Sequence, residues 1–99
     1  MKKNNTTLAE VISYLEDIIE ARSSSIDDTY TSSLLKKSIA RISQKVGEEA
    51  IEVVIEANLK NKKKIIAESA DLLFHLMVLW NKLGVKEEDV AIELLRRKK

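Results

Sequence analysis

Apolar residues recur along this chain at the spacing of a helical face almost from end to end. Leu8, Val11, Ile12, Leu15, Ile18 and Ile19 follow the i, i+3, i+4, i+7 pattern of an amphipathic helix. Thr7 and Glu10 have the Thr-x-x-Glu form of a capping box, which sets the helix start near residue 8. The pattern fades over residues 22–25, and serines followed by Asp27 and Asp28 make the clearest loop. Either Asp28 or Thr29 can cap the next helix. A second stripe, Leu34, Leu35, Ile39, Ile42, Val46, Ala50, Val53 and Ala57, predicts one continuous helix over about residues 30–59. Gly47 falls inside it, at a cost of about 1 kcal/mol against alanine. That points to a bend, or to packing or substrate atoms close to the backbone. Residues 58–64, polar and rich in lysine, read as a short connection. A further helix is expected over about residues 63–83, closed by Gly84. Glu87, Glu88 and Asp89 suit the first turn of a last helix, and Arg96, Arg97, Lys98 and Lys99 suit its end, because the helix dipole favours that order. The pattern predicts an all-α bundle of four helices, a single domain over residues 1–99.

Composition narrows the chemistry. Two glycines and no proline leave little turn material for a sandwich or barrel of short strands. Without cysteine there is no disulfide framework, thiolate metal site or cysteine nucleophile. A net charge of +1, from 17 basic and 16 acidic residues, argues against a nucleic-acid or membrane-surface binder. The apolar run at residues 72–80 contains His75 and is far short of the ~20 residues of a membrane span. No continuous apolar core follows the two lysines at the start, because Glu10, Glu16 and Asp17 intervene. The expectation is therefore no secretory signal and a cytoplasmic location. A chain of this size buries only about two-thirds of its unfolded surface, so self-association would help it.

The informative charges are local. Glu48, Glu49 and Glu52 cluster on the second predicted helix, and Glu68 and Asp71 stand at i and i+3 on the next. Taken alone, the first cluster reads as a solvated face shared with Arg41, Lys45 and Glu56. Glu68 and Asp71 shift that balance because they lead into an apolar helix, where carboxylates are costly unless paired or bound to metal. Antiparallel packing of the two helices would let Glu49-x-x-Glu52 meet Glu68-x-x-Asp71. Convergent carboxylates without soft ligands suit a hard cation, Mg²⁺ or Mn²⁺. A di-iron bundle would need Glu-x-x-His motifs, which are absent. His75 reads either as a hydrogen-bonded packing residue or as a partner of the metal site. Mg²⁺ usually acts with substrate phosphates. Arg41 and Lys45, one and two turns before the carboxylates, are candidate phosphate contacts, with Lys36 and Lys37 behind them. No Walker loop, zinc spacing, dinucleotide turn or nucleophile elbow is present.

Glu49-x-x-Glu52, a gap of 15 residues, then Glu68-x-x-Asp71 resembles the signature of the all-α, MazG-like nucleotide pyrophosphohydrolases. Three stretches are more specific: Tyr30-Thr31-x-x-Leu34-Leu35, the run from Arg41 through Lys45-Val46-Gly47-Glu48-Glu49-Ala50 to Val53, and Ala70-Asp71-Leu72-Leu73-Phe74-His75-Leu76. They resemble the phosphoribosyl-ATP pyrophosphohydrolases of histidine biosynthesis. The resemblance spans about residues 8–97. It implies an all-α bundle of four to five helices completed by dimerisation, and Mg²⁺-dependent hydrolysis of phosphoribosyl-ATP to phosphoribosyl-AMP and pyrophosphate. By position, Glu49, Glu52, Glu68 and Asp71 would be metal ligands, with Glu48, Glu49 and Glu52 central to catalysis. Glu48 would be an added ligand or the base that orients water. Arg41 and Lys45 would contact phosphates, and Tyr30 and Thr31 would lie near substrate. Ser33, Ser38 and Lys86 depart from the family pattern, where lysine, glycine and a capping serine are common. Many relatives also carry a zinc-binding cyclohydrolase domain, for which the length and missing cysteines leave no room. The alternatives are a house-cleaning pyrophosphohydrolase acting on (deoxy)nucleoside triphosphates, and a helical interaction module using the acidic cluster as its face.

Overall fold

The computed structural model describes residues 6–24, 26 and 28–98, and all regular structure in them is helical. The elements are α1 (Leu8–Ser23), α2 (Tyr30–Leu35), α3 (Ile39–Asn58), α4 (Lys62–Leu83) and α5 (Glu87–Arg97). Asp27, Lys99 and the two lysines at the start lie outside the described residues. Side-chain caps mark the helix starts. Thr7 Oγ1 accepts from the Glu10 N–H at 3.2 Å while the Glu10 carboxylate accepts from the Thr7 N–H at 3.1 Å, the expected capping box. Thr29, not Asp28, caps α2, in a reciprocal pair with Ser32.

The helix expected over residues 30–59 is two helices. The N–H groups of Lys36 and Lys37 turn back to the carbonyls of Ser33 and Leu34, which closes α2. Ser38 then adopts an extended backbone, and its Oγ accepts from the Arg41 N–H at 3.1 Å. A serine side chain that satisfies a backbone donor competes with helix continuation. The apolar stripe runs straight across this break, so periodicity alone does not reveal it. Lys82 of α4 donates to the Leu35 carbonyl at 2.9 Å, supplying a partner at the end of α2.

Helices α3 and α4 form an antiparallel hairpin across residues 59–61, a shorter connection than the expected 58–64. Asn61 caps α4 through the Lys64 N–H, and the Asn61 N–H itself bonds back to the Glu56 carbonyl at 3.1 Å. At the far end Gly84 takes φ 72°, and the Val85 N–H reaches the Trp80 carbonyl at 2.9 Å. That is the left-handed glycine stop the sequence predicts. Helix α5 is tied to α1 by Glu16, whose carboxylate accepts from the Glu87 N–H at 2.7 Å and caps the free end of α5.

The buried apolar core is small: Ile19, Leu34, Leu35, Ile42, Met77 and Val78. Ile12, Leu15, Phe74, Leu79 and Trp80 pack around it. Of the apolar run at 72–80, only Met77, Val78 and the embedded His75 are buried. Large apolar residues remain exposed on α3 (Ile51, Val54, Ile55) and α5 (Ile92, Leu94, Leu95). The radius of gyration, 14.9 Å, exceeds the ~13 Å usual for a chain of about 100 residues. No helix is long and apolar enough to cross a membrane, among the described residues.

Gly47 does not interrupt α3, and a Cβ built on it meets nothing within 4 Å. Neither a helix break nor packing inside this chain accounts for it. The two glycines should therefore respond oppositely to alanine. Gly84→Ala should cost about 1 kcal/mol, because its backbone is left-handed. Gly47→Ala should add about 0.5–1 kcal/mol of stability through helix propensity. Urea unfolding at one fixed protein concentration measures both. A destabilised Gly47→Ala chain would show that packing, not ligand approach, holds the glycine.

Candidate metal centre and adjoining cavity

The hairpin turn sets which residues of α3 and α4 stand level. Glu52 lies seven residues before Leu59 and Glu68 seven after Asn61; Glu49 and Asp71 each lie ten away. At ~1.5 Å of rise per residue, each pair sits at one height along the hairpin. One carboxylate oxygen from each of Glu49, Glu68 and Asp71 lies within 4.8 Å of the others. Glu49 and Glu68 are half-buried and Asp71 is exposed. Glu68 registers the crowding most strongly. Partial burial pushes its carboxyl above the ordinary value, and the charges of Glu49, Glu52 and Asp71 and a hydrogen bond with Glu49 push the same way. A cation bound there would relieve that crowding. Lys45 is the nearby cation, its Nζ 3.7 Å from Glu49. The donors are all oxygens, and the set suits a hard divalent ion.

The two adjacent glutamates part company. Successive residues on a helix point ~100° apart. Glu49 joins the carboxylate group, while Glu48 accepts from Gln44 Nε2 at 3.1 Å and lines a separate cavity of about 270 Å³. Tyr30, Leu34, Lys37, Arg41, Gln44 and Lys45 complete that cavity. Lys45 belongs to both places, pairing with Glu49 and lining the cavity, so the two form one continuous site.

Of the residues singled out from the sequence, Glu49, Glu68 and Asp71 converge, and Tyr30, Arg41, Lys45 and Glu48 share the cavity. Glu52 contributes charge at Glu68 but stands outside the three-carboxylate group. Thr31 is half-buried in α2 and does not line the cavity. Glu56, read with Arg41 and Lys45 as part of a solvated face, is instead 9% exposed, because that position of α3 faces its partner helix. Sequence reasoning missed Gln44, and it read Leu34 only as part of the apolar stripe and of the stretch from Tyr30 to Leu35. Gln44 stands four residues before Glu48, the spacing at which helical side chains meet, so it was within reach. His75 follows the packing reading: its Nδ1 is 2.8 Å from the Asp71 carbonyl oxygen and its Nε2 is 2.8 Å from the Tyr30 hydroxyl.

Known proteins resemble this chain over most of its length. The family model described as phosphoribosyl-ATP pyrophosphohydrolase matches residues 12–98. A phosphoribosyl-ATP pyrophosphatase of Zymomonas mobilis is 48% identical over 89 residues, covering 89% of this chain and 83% of that protein. One from Pyrobaculum islandicum is 42% identical over 89 residues, covering 89% of this chain and 95% of its own. A histidine biosynthesis bifunctional protein of Vibrio parahaemolyticus is 44% identical over 86 residues, which is 86% of this chain but 41% of that one. The chain belongs to the phosphoribosyl-ATP pyrophosphohydrolase family.

If the carboxylates hold a divalent ion, Mg²⁺ should stabilise the fold by mass action, by about 2.7 kcal/mol at ~100 times its dissociation constant. Asp71→Asn removes one ligand charge and should abolish that gain. Thermal melts with and without Mg²⁺, at fixed ionic strength, measure the difference. An equal Mg²⁺ shift in wild type and Asp71→Asn would remove Asp71 from the ligand set.

Proposed function

We propose that this chain hydrolyses phosphoribosyl-ATP to phosphoribosyl-AMP and pyrophosphate, a step of histidine biosynthesis, with Mg²⁺ (or Mn²⁺) as cofactor. The observation that carries the reading is the convergence of Glu49, Glu68 and Asp71 from two helices beside a cavity lined by Lys37, Arg41 and Lys45. Family membership supplies the substrate, through relatives named phosphoribosyl-ATP pyrophosphatase.

Glu49, Glu68 and Asp71 would hold the cation, and Glu52, whose charge reaches Glu68, would join them as a fourth ligand, as the family resemblance implies. Bound there, it would neutralise phosphate oxygens and stabilise charge on the pyrophosphate leaving group. The protein's own groups supply the rest. Arg41 and Lys45, with Lys37, draw the polyphosphate into the cavity and fix its direction. Glu48, on the cavity wall, orients the attacking water and accepts its proton; its separation from the carboxylate group supports this role over ligation. Tyr30 offers an aromatic surface to the nucleotide, with Thr31 beside it in α2. Water attacks, the bond between the first and second phosphates breaks, and no covalent intermediate on the protein is needed.

The working form would be a cytoplasmic homodimer, without nucleic-acid or membrane partners. The small core, the exposed apolar residues of α3 and α5, and a groove of about 430 Å³ between α1, α4 and α5 support a second copy as the missing cover. Light scattering should then give twice the chain mass of 11.2 kDa. A monomer at micromolar concentration would contradict it.

Pyrophosphate release from phosphoribosyl-ATP should require Mg²⁺. Glu52→Gln and Asp71→Asn should each lower turnover at least ~100-fold with the helical circular dichroism unchanged, since transition-state charge loses its counter-ion. Wild-type turnover in either variant would sink the site assignment. Faster hydrolysis of dCTP, dUTP or dTTP would move the substrate to the house-cleaning class.

A further inference from the structure

Tyr30 has an exposed ring on the cavity wall, yet its hydroxyl turns inward to His75, which is only 5% exposed. In the neutral imidazole, the chemistry of the partners fixes the direction of both bonds. The Asp71 carbonyl offers only lone pairs, so Nδ1 carries the proton and donates to it. Nε2 is left with its lone pair, and the Tyr30 O–H donates to that. Both ring nitrogens are therefore engaged inside the chain, and neither is free to meet a ligand.

Tyr30 needs such an anchor. It opens α2, a helix of six residues, well under the ~12–15 at which a helix begins to hold its own shape. The rings of Phe74 and His75 stand 6.3 and 6.0 Å from the Tyr30 ring, centre to centre. Such contacts tolerate a range of tilts, whereas a hydrogen bond at 2.8 Å sets both depth and direction.

We propose that His75 is a positioning residue: it fixes the Tyr30 ring as a wall of the cavity and joins that wall, through the Asp71 carbonyl, to the metal-binding turn of α4. The proposal rests on the reading of the cavity as the nucleotide site. A held aromatic ring beside Lys37, Arg41 and Lys45 suits a planar base with a phosphate tail. Tyr30 then acts through its ring, and its hydroxyl serves position.

The test is a cycle of Tyr30→Phe, His75→Leu and the double variant, with His75→Gln as the conservative replacement. Tyr30→Phe should raise KM for phosphoribosyl-ATP about three- to tenfold, the range of one lost hydrogen bond, with kcat within about twofold. His75→Leu should do the same, and the double variant should be no worse than either. The Gln carboxamide oxygen reaches toward the place of Nε2, so His75→Gln should recover most of the loss. Long-range ¹H–¹⁵N spectra of the wild-type chain should show the Nδ1–H tautomer of His75. Additive effects, an unchanged KM in Tyr30→Phe, a loss confined to kcat, or an Nε2–H tautomer would each overturn the proposal. If His75→Leu does not fold, Tyr30→Phe and His75→Gln still decide it. A wild-type chain that releases no pyrophosphate from phosphoribosyl-ATP would instead overturn the activity reading, and the tautomer would still be read from the free protein.

Discussion

The register of the α3–α4 hairpin governs the rest of this molecule. Three residues of turn make Glu49 and Asp71 level, and Glu52 and Glu68 level one turn nearer the loop. A one-residue change in that turn would rotate one helix by ~100° relative to the other and scatter the carboxylates. Several small devices protect the register: the Asn61 cap, the return of the Asn61 N–H to the Glu56 carbonyl, and Ile42 and Val78 fully buried toward the other end. A site made from two helices needs no loop to carry it, and rigid elements hold ligand geometry better than loops do.

The same register creates a cost. Like charges brought together disfavour ionisation of Glu68, and Lys45 at 3.7 Å is a partly exposed partner of modest worth. The carboxylates thus crowd like charge at one place on the hairpin, where a bound cation would relieve it. Helix geometry then divides labour between neighbours. Glu48 and Glu49 differ by one position, and that rotation sends one to the basic cavity and the other to the carboxylate group.

Much of this was legible in the chain. The capping box at Thr7, the glycine stop at Gly84 and the acidic start of α5 are local signals, and each lies where local chemistry puts it. The acidic pairs were legible because carboxylates before an apolar helix contradict the hydrophobic pattern. The break at Ser38 was not, since the stripe continues through it and only the competition between a side-chain oxygen and a backbone carbonyl decides. Glu56 misled for the opposite reason: a charged residue reads as exposed, and only the hairpin shows which side of α3 it faces. The bond between Tyr30 and His75 joins residues 45 apart and leaves no periodic trace.

The exposed apolar residues arise from the same economy. The hairpin consumes the inner face of α3, and its outer face keeps Ile51, Val54 and Ile55 in solvent. Helices α1, α2 and α5 are too few and too short to cover that face as well as the core around Ile19 and Val78. Adding a sixth helix would be one remedy; a second copy would supply the same surface without lengthening the chain. Gln44 and Glu48, which line the cavity, stand on the same helical stripe as the exposed Ile51 and Ile55, so a partner covering those residues would sit beside the cavity.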